Sequence, residues 1–216
     1  WAHRLDANKR DRLDLEFEAE LADQVLLEGD FVLAELRRVI YLQPKLNKHQ
    51  ILFLEIFIQA NLMNIYKADY KTNEIRIKIQ NDLQDVYPFA LVCCARRWGK
   101  TFATAWFVAC ALMTLTNIVI TVFSPAQRQS HYFMKVVKQC LSVLEANGLS
   151  YTTRENNTQL LEVVRGRNMN VLNALPCNEN TTRGVSANII ICEEAAALPP
   201  KFMGTNIFPL LTVSDT

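Results

Sequence analysis

The residues with the most chemistry in this chain form the run "CCARRWGKT", Cys93 to Thr101. A phosphate-binding loop asks for a Gly, four free positions and then Gly-Lys-Ser/Thr. Gly99, Lys100 and Thr101 supply the second half of that pattern, and Cys94 stands where the first Gly belongs. Such a run would hold nucleotide phosphates. Backbone N–H groups of Cys94, Ala95, Arg96, Arg97, Trp98 and Gly99 would cradle them, the Lys100 ammonium would reach the β- and γ-phosphates, and the Thr101 hydroxyl would hold Mg²⁺. The opposing reading is a set of ordinary helix-start residues, and the missing glycine leaves it open.

A second group lies far along the chain in "NIIICEEAAALP", an apolar run that ends in Glu193 and Glu194. An ATPase needs an acidic residue at the end of a buried strand to hold the Mg²⁺ shell, and often a neighbouring carboxylate to orient the attacking water. Glu193 takes the metal role and Glu194 the water role. Glu193 stands where Asp is usual, and its longer side chain would shift the metal. Two glutamates also suit the start of a following helix by charge, and the two roles can coexist. Between these groups, "NENTTRGVSANIIICEE" puts Arg183 and Gly184 on a polar loop before the apolar run. Arg183 is either a salt-bridge former or an arginine that stabilises transition-state charge in a neighbouring subunit, a contribution of roughly 10³ to 10⁵ in rate.

These residues need elements to position them. The spacing predicts a strand over Phe89–Cys94 running into the loop, and a helix from Lys100 to about Leu115. A strand "IVITVF" follows, then a helix from near Pro125 to Gly148, then β-like runs "QLLEVV" and "MNVLNAL" and the strand "NIIIC". Strands alternating with helices of this length predict an α/β fold: a mainly parallel sheet flanked by helices on both faces. Upstream, Leu13 to Ile40 reads as an amphipathic helical hairpin broken at Gly29 and Asp30. Asn47 is placed to cap a long, mostly apolar helix, and the polar "KADYKTNEIRIKIQNDLQD" reads as a lead-in to the first strand. The division expected is a helical segment over residues 1–45 and an ATPase domain over 46–216.

Composition narrows the class. Half of the 216 residues are apolar, as a globular core requires. The net charge of +1 hides an asymmetry, because the segment from Leu91 onward is basic and the first forty residues are acidic. The later segment is therefore the part suited to anions, although the excess is too small to establish a nucleic-acid partner. Six cysteines lie mostly in apolar runs and never in C-x-x-C spacing, so they are expected to be reduced core residues of an intracellular protein rather than disulfides or a zinc site. The uncharged stretch Thr101 to Phe123 is long enough to span a bilayer, but it changes partway from helix formers to a β-branched run, which predicts a buried helix followed by a buried strand.

Taken together, R-R-x-G-K-T, "ITVFSPAQRQS", N-x-x-x-R-G and the apolar strand with its acidic pair and "AAAL" resemble the ATPase domain of the large terminase subunit, the DNA-packaging motor of tailed phages and herpesviruses. The likeness covers about Leu46 to Thr216. It implies a P-loop NTPase of the additional-strand, catalytic-glutamate type, related to RecA, in which the first glycine of the loop is commonly replaced. It further implies ATP and Mg²⁺ as cofactors, with Arg96 or Arg97 on the phosphates and Arg183 as an arginine finger supplied in trans around a homo-oligomeric ring. Gln50 falls at the family's adenine-contacting position, with a plain surface glutamine as the alternative. Arg128 sits where related motors touch DNA, with a solvated helix-start arginine as its alternative. The partners implied are double-stranded DNA gripped by its backbone, the portal and the small terminase subunit, inside an infected cell. The carboxylate cluster of the family's nuclease does not occur in this segment. Two other functions fit the same residues: a helicase-like nucleic-acid remodelling ATPase, and a nucleotide-binding structural protein of the virion.

Overall fold

The structure, a computed structural model, describes residues 26–43, 45–178, 185–207 and 209. Its elements begin with α1 (Glu28–Ile40), α2 (Lys48–Ala60), α3 (Leu62–Tyr66) and α4 (Ala68–Gln80). After an irregular stretch come α5 (Lys100–Thr114), β1 (Val119–Ser124), α6 (Gln127–Ala146), β2 (Thr152–Asn156), β3 (Leu160–Arg165), β4 (Asn168–Pro176) and β5 (Ile189–Cys192). A 3-10 turn (Ala195–Ala197) and short helical turns over Pro200–Phe202 and Met203–Ile207 follow.

β1 is the centre of a five-stranded sheet in the order β2-β3-β4-β1-β5. It pairs in parallel with β4 on one side and β5 on the other, so that Val122 lies between Ala174 and Ile191. The β2–β3 and β3–β4 pairings are antiparallel, which extends the parallel half into a mixed sheet. Burial on both faces is why β1 is a nearly continuous apolar run. Its alternate residues meet different partners. Ile120 and Val122 join the main core with α5 and α6, whereas Phe123 joins a second cluster with Phe202 and Ile207. Among the described residues the long helices α5 and α6 thus share one face of the sheet, and the other face is covered by the short turns after β5. The alternation of elements predicts helices on both faces; periodicity cannot say on which side a crossover returns.

α5 explains the uncharged stretch. Every residue from Ala103 to Met113 is buried, and no helix is long and apolar enough to cross a membrane among the described residues. An all-round apolar helix belongs in a core. α1 is tied to it where Trp106 Nε1 donates to the carbonyl of Ile40 at 3.0 Å, which satisfies one of the last carbonyls of α1 inside the core.

Three expectations are corrected. Residues 1–25 of the expected hairpin lie outside the described residues, and the expected break at Gly29 and Asp30 is instead the first turn of α1. The Asp30 side chain accepts from the Leu27 N–H at 2.8 Å and from Arg76 at 2.7 Å, and both Tyr66 and Arg76 hold it in place. The polar lead-in is the helix α4, held by that same Arg76–Asp30 pair and by Lys78 with Glu74. Phe89–Cys94 forms no strand. It is irregular, and Phe89 and Leu91 are 73% and 84% exposed. A strand exists only in a ladder, and no described strand pairs with this stretch.

The connection between α5 and β1 is closed by one side chain. Asn170, on β4, is buried; its Nδ2 donates to the carbonyls of Leu112 and Leu115 at 2.8 Å each, and its Oδ1 accepts from the Ile118 N–H at 3.0 Å. Asn170→Leu would strand three backbone groups in the core. It is expected to cost about 3 kcal/mol in urea unfolding, from about 1–3 kcal/mol per unsatisfied buried group.

Candidate active site

The Gly-Lys-Thr run sits at the start of α5. Gly99 is the N-cap in a left-handed conformation (φ 91°), and a Cβ added there would lie 2.8 Å from Gln50 Nε2. The left-handed φ favours glycine, and any Cβ would also displace the Gln50 amide. Gln50 is 8% exposed; its Nε2 donates to the Trp98 carbonyl at 3.4 Å and its Oε1 accepts from the Asn47 N–H at 3.1 Å. It is therefore not the surface glutamine of the alternative reading but a brace between α2 and the loop. Trp98 rests edge-on against Phe53 of the same helix, with ring centroids 5.5 Å apart.

Lys100 turns back onto the loop, where its Nζ donates to the carbonyls of Cys94 at 3.3 Å and Ala95 at 3.2 Å. Arg97 has a left-handed backbone (φ 63°), and Arg96 and Arg97 both present their side chains to solvent. The loop therefore surrounds an ammonium with carbonyl oxygens and holds two more cations at its rim.

The two groups of the sequence meet here. Thr101 Oγ1 lies 3.4 Å from Glu193 Oε2, across a separation of 92 residues. The link is built by β5: the Glu193 N–H donates to the Phe123 carbonyl at 2.9 Å, so the β1–β5 ladder continues as far as the carboxylate. Burial pushes the Glu193 carboxyl up from the usual carboxylate range. The Thr101 hydroxyl bond and Lys100 pull the other way, and Glu194 adds to the rise. A part-buried carboxylate beside a hydroxyl, with no cation bonded to it among the described residues, fits a Mg²⁺ ion; magnesium takes one or two protein oxygens and completes its shell with phosphate and water. Thr101 and Glu193 would hold it.

Glu194 diverges from its neighbour. Its backbone is left-handed (φ 50°, ψ 46°), it is exposed, and it stands before the 3-10 turn without capping it through its side chain. Its Oε2 instead accepts from Gln129 Nε2, in the first turn of α6, at 2.9 Å. Sequence reasoning missed Gln129; the local signal is a glutamine three positions after Ala126 at a helix start, which reads only as a cap. Arg128, next to it, is exposed as the solvated alternative has it. Arg183 and Gly184 lie outside the described residues. The cysteines are all free among the described residues, but only Cys110 and Cys140 are core residues; Cys93 is exposed, and Cys94, Cys177 and Cys192 are half-buried.

The fold and site together define an α/β protein with a phosphate-loop-like turn facing an acidic strand end. No protein-family model matches the sequence, and no curated protein matches it. Among solved structures it is similar to the large terminase ATPase domain of Thermus phage P74-26, at 18% identity and a TM-score of 0.49 over 57% of this chain and 54% of that one. It is also similar to the large terminase of the thermophilic bacteriophage D6E in complex with ADP, at 15% identity and a TM-score of 0.43 over 54% of this chain and 29% of that one. This chain thus spans about half the length of the first. The likeness is one of fold, and the roles argued for single residues rest on the geometry given above.

The raised Glu193 carboxyl has a consequence for stability. A group whose folded pKa lies above its unfolded value contributes stability below the unfolded value and loses it as pH rises through the folded one. Glu193→Gln removes that loss while keeping an oxygen for the Thr101 hydroxyl. Without metal, the variant is expected to melt about 1–3 °C above the parent at pH 7, with the gap closing toward about pH 4. Mg²⁺ with ATP should reverse the order by stabilising the parent alone, which differential scanning fluorimetry would show.

Proposed function

We propose that this chain is the ATPase domain of a large terminase subunit, which hydrolyses ATP to drive double-stranded DNA into a viral capsid. The observation that carries the reading is the approach of Thr101 to Glu193, with Lys100 on one side and Glu194 on the other. A P-loop threonine and a strand-end carboxylate brought together in this way are what a Mg²⁺-nucleotide site needs.

In this reading Lys100 leaves the Cys94 and Ala95 carbonyls for the β- and γ-phosphates, and the backbone N–H groups at the start of α5 receive phosphate oxygens. Thr101 and Glu193 would hold Mg²⁺, which would supply neutralisation of phosphate charge. Glu194 directs the attacking water toward the γ-phosphorus. Arg96 and Arg97 stand at the rim, where they would meet phosphate charge, and Arg183 completes the site of a neighbouring subunit in a homo-oligomeric ring. Gln50 stays with the loop, bracing it through the Trp98 carbonyl. The partners in this reading are the DNA backbone, gripped without sequence preference, and the portal and small terminase subunit, within an infected cell.

The test is Mg²⁺-dependent ATP hydrolysis with added double-stranded DNA over a range of protein concentrations. Lys100→Ala and Glu194→Gln are each expected to lower kcat by a factor of about 10² or more. Arg183→Ala should lower it by about 10³ and regain activity when mixed with Glu194→Gln chains, because each variant supplies what the other lacks. Wild-type chain that binds ATP and never turns it over, at any concentration or with DNA, sinks the motor reading and favours a structural nucleotide-binding protein.

A further inference from the structure

One side chain of the site has no part in the mechanism above. Gln129 has both ends of its amide engaged: Oε1 accepts from the Ala126 N–H at 3.1 Å, and Nε2 donates to Glu194 Oε2 at 2.9 Å. The first bond is a helix cap that satisfies a backbone donor at the start of α6. The second joins two elements 65 residues apart, and among the described residues it is the one hydrogen bond to the Glu194 carboxylate.

Resting on the ATPase reading, we infer that Gln129 is a positioning residue for hydrolysis, holding the carboxylate of Glu194 in the orientation that directs the attacking water. Glu194 is exposed, and an exposed glutamate spreads over several rotamers. A group that directs water must lie within about 2.6–3.2 Å of it in one geometry. Gln129 is itself exposed, but its cap bond holds the amide in place, so the bond at Oε2 restrains the carboxylate and leaves Oε1 open for a water. An amide suits the task because it donates without charge, so it does not compete as an ion pair. The cap bond fixes which end of the amide faces Glu194, since the flipped amide would set its N–H₂ against the Ala126 N–H and its oxygen against the carboxylate. A base oriented by a third group is the arrangement that activated sites use in general. Here the third group rides on the first turn of α6, so the base is referenced to that helix and not only to β5.

Capping and positioning separate by substitution. Gln129→Glu keeps the acceptor for the Ala126 N–H, glutamate being a usual residue at that place in a capping box, but replaces the donor to Glu194 with a second carboxylate. Its kcat for ATP is expected to fall at least about tenfold, the loss of one oriented group in the reaction, with KM and the affinity for a fluorescent ATP analogue unchanged within about twofold. A double-mutant cycle on thermal unfolding reads the contact without turnover. Gln129→Glu should lower Tm by about 1–2 °C in the wild-type background, and that loss should vanish when Glu194→Gln is also present. If Gln129→Glu hydrolyses ATP at the wild-type rate or faster, while Glu194→Gln is inactive, Gln129 is a cap only and the inference fails alone. If the wild-type chain shows no turnover at all, the ATPase reading fails and this inference falls with it.

Discussion

Everything in the site depends on the burial of α5. Its residues from Ala103 to Met113 have no exposed face, so the helix has one place to be: against the sheet on one side and against α1 and α2 on the other. A surface helix slides or frays at modest cost, but one enclosed in close-packed side chains cannot shift without repacking its neighbours. The Trp106 bond to Ile40 and the three Asn170 bonds fix the helix along its axis as well. The first turn of α5 therefore sits on a fixed platform, and Thr101 reaches Glu193 because the start of α5 and the end of β5, which the β1–β5 ladder carries, lie at the same level.

The charges on that platform are incomplete in complementary ways. Lys100 bonds only to neutral carbonyls, and Glu193 bonds to a neutral hydroxyl while burial penalises its charge. Among the described residues neither has an opposite charge as its hydrogen-bond partner, although Lys100 lies close enough to lower the Glu193 pKa. A polyphosphate bound with its divalent cation supplies both deficits at once, an anion for Lys100 and a cation for Glu193. Groups of this kind cost stability when nothing is bound, which is the usual relation between a functional site and the fold that carries it.

Legibility in the sequence followed the range of the interaction concerned. Asn47 capping α2, the end of α6 just before Gly148 (φ 90°) and the β1–α6 alternation were all readable, because each signal is local or periodic. The meeting of Thr101 with Glu193 was readable from the chemistry their types imply. The helix α4 was not, because only Tyr70 and Ile77 of it are buried and its support comes from a part-buried ion pair with Asp30 on another helix. Phe89–Cys94 has a strand's composition without a strand's partner, and composition carries no record of partners. Gln129 went unread, because its contact with Glu194 lies 65 residues away in the chain.

The loss of that strand bears on how the phosphate loop is held. With Phe89–Cys94 outside the sheet, the loop is anchored from its far side alone, by α5, by the Gln50 bond to Trp98 and by the packing of Trp98 on Phe53. Its near side is held through the two Lys100 bonds to the Cys94 and Ala95 carbonyls. Phosphate would take Lys100 away from both. The loop's near side is thus closed by a bond that ligand binding must break, at a cost on the order of 1–3 kcal/mol for two charge-assisted bonds partly screened by solvent. The new contacts to phosphate and metal must exceed that cost, and whatever they exceed it by also reorganises Cys94 to Arg97. Gln50 and Gly99, on the anchored side, do not need to move, so the structural response to nucleotide is directed into the exposed segment before the loop and away from the buried platform.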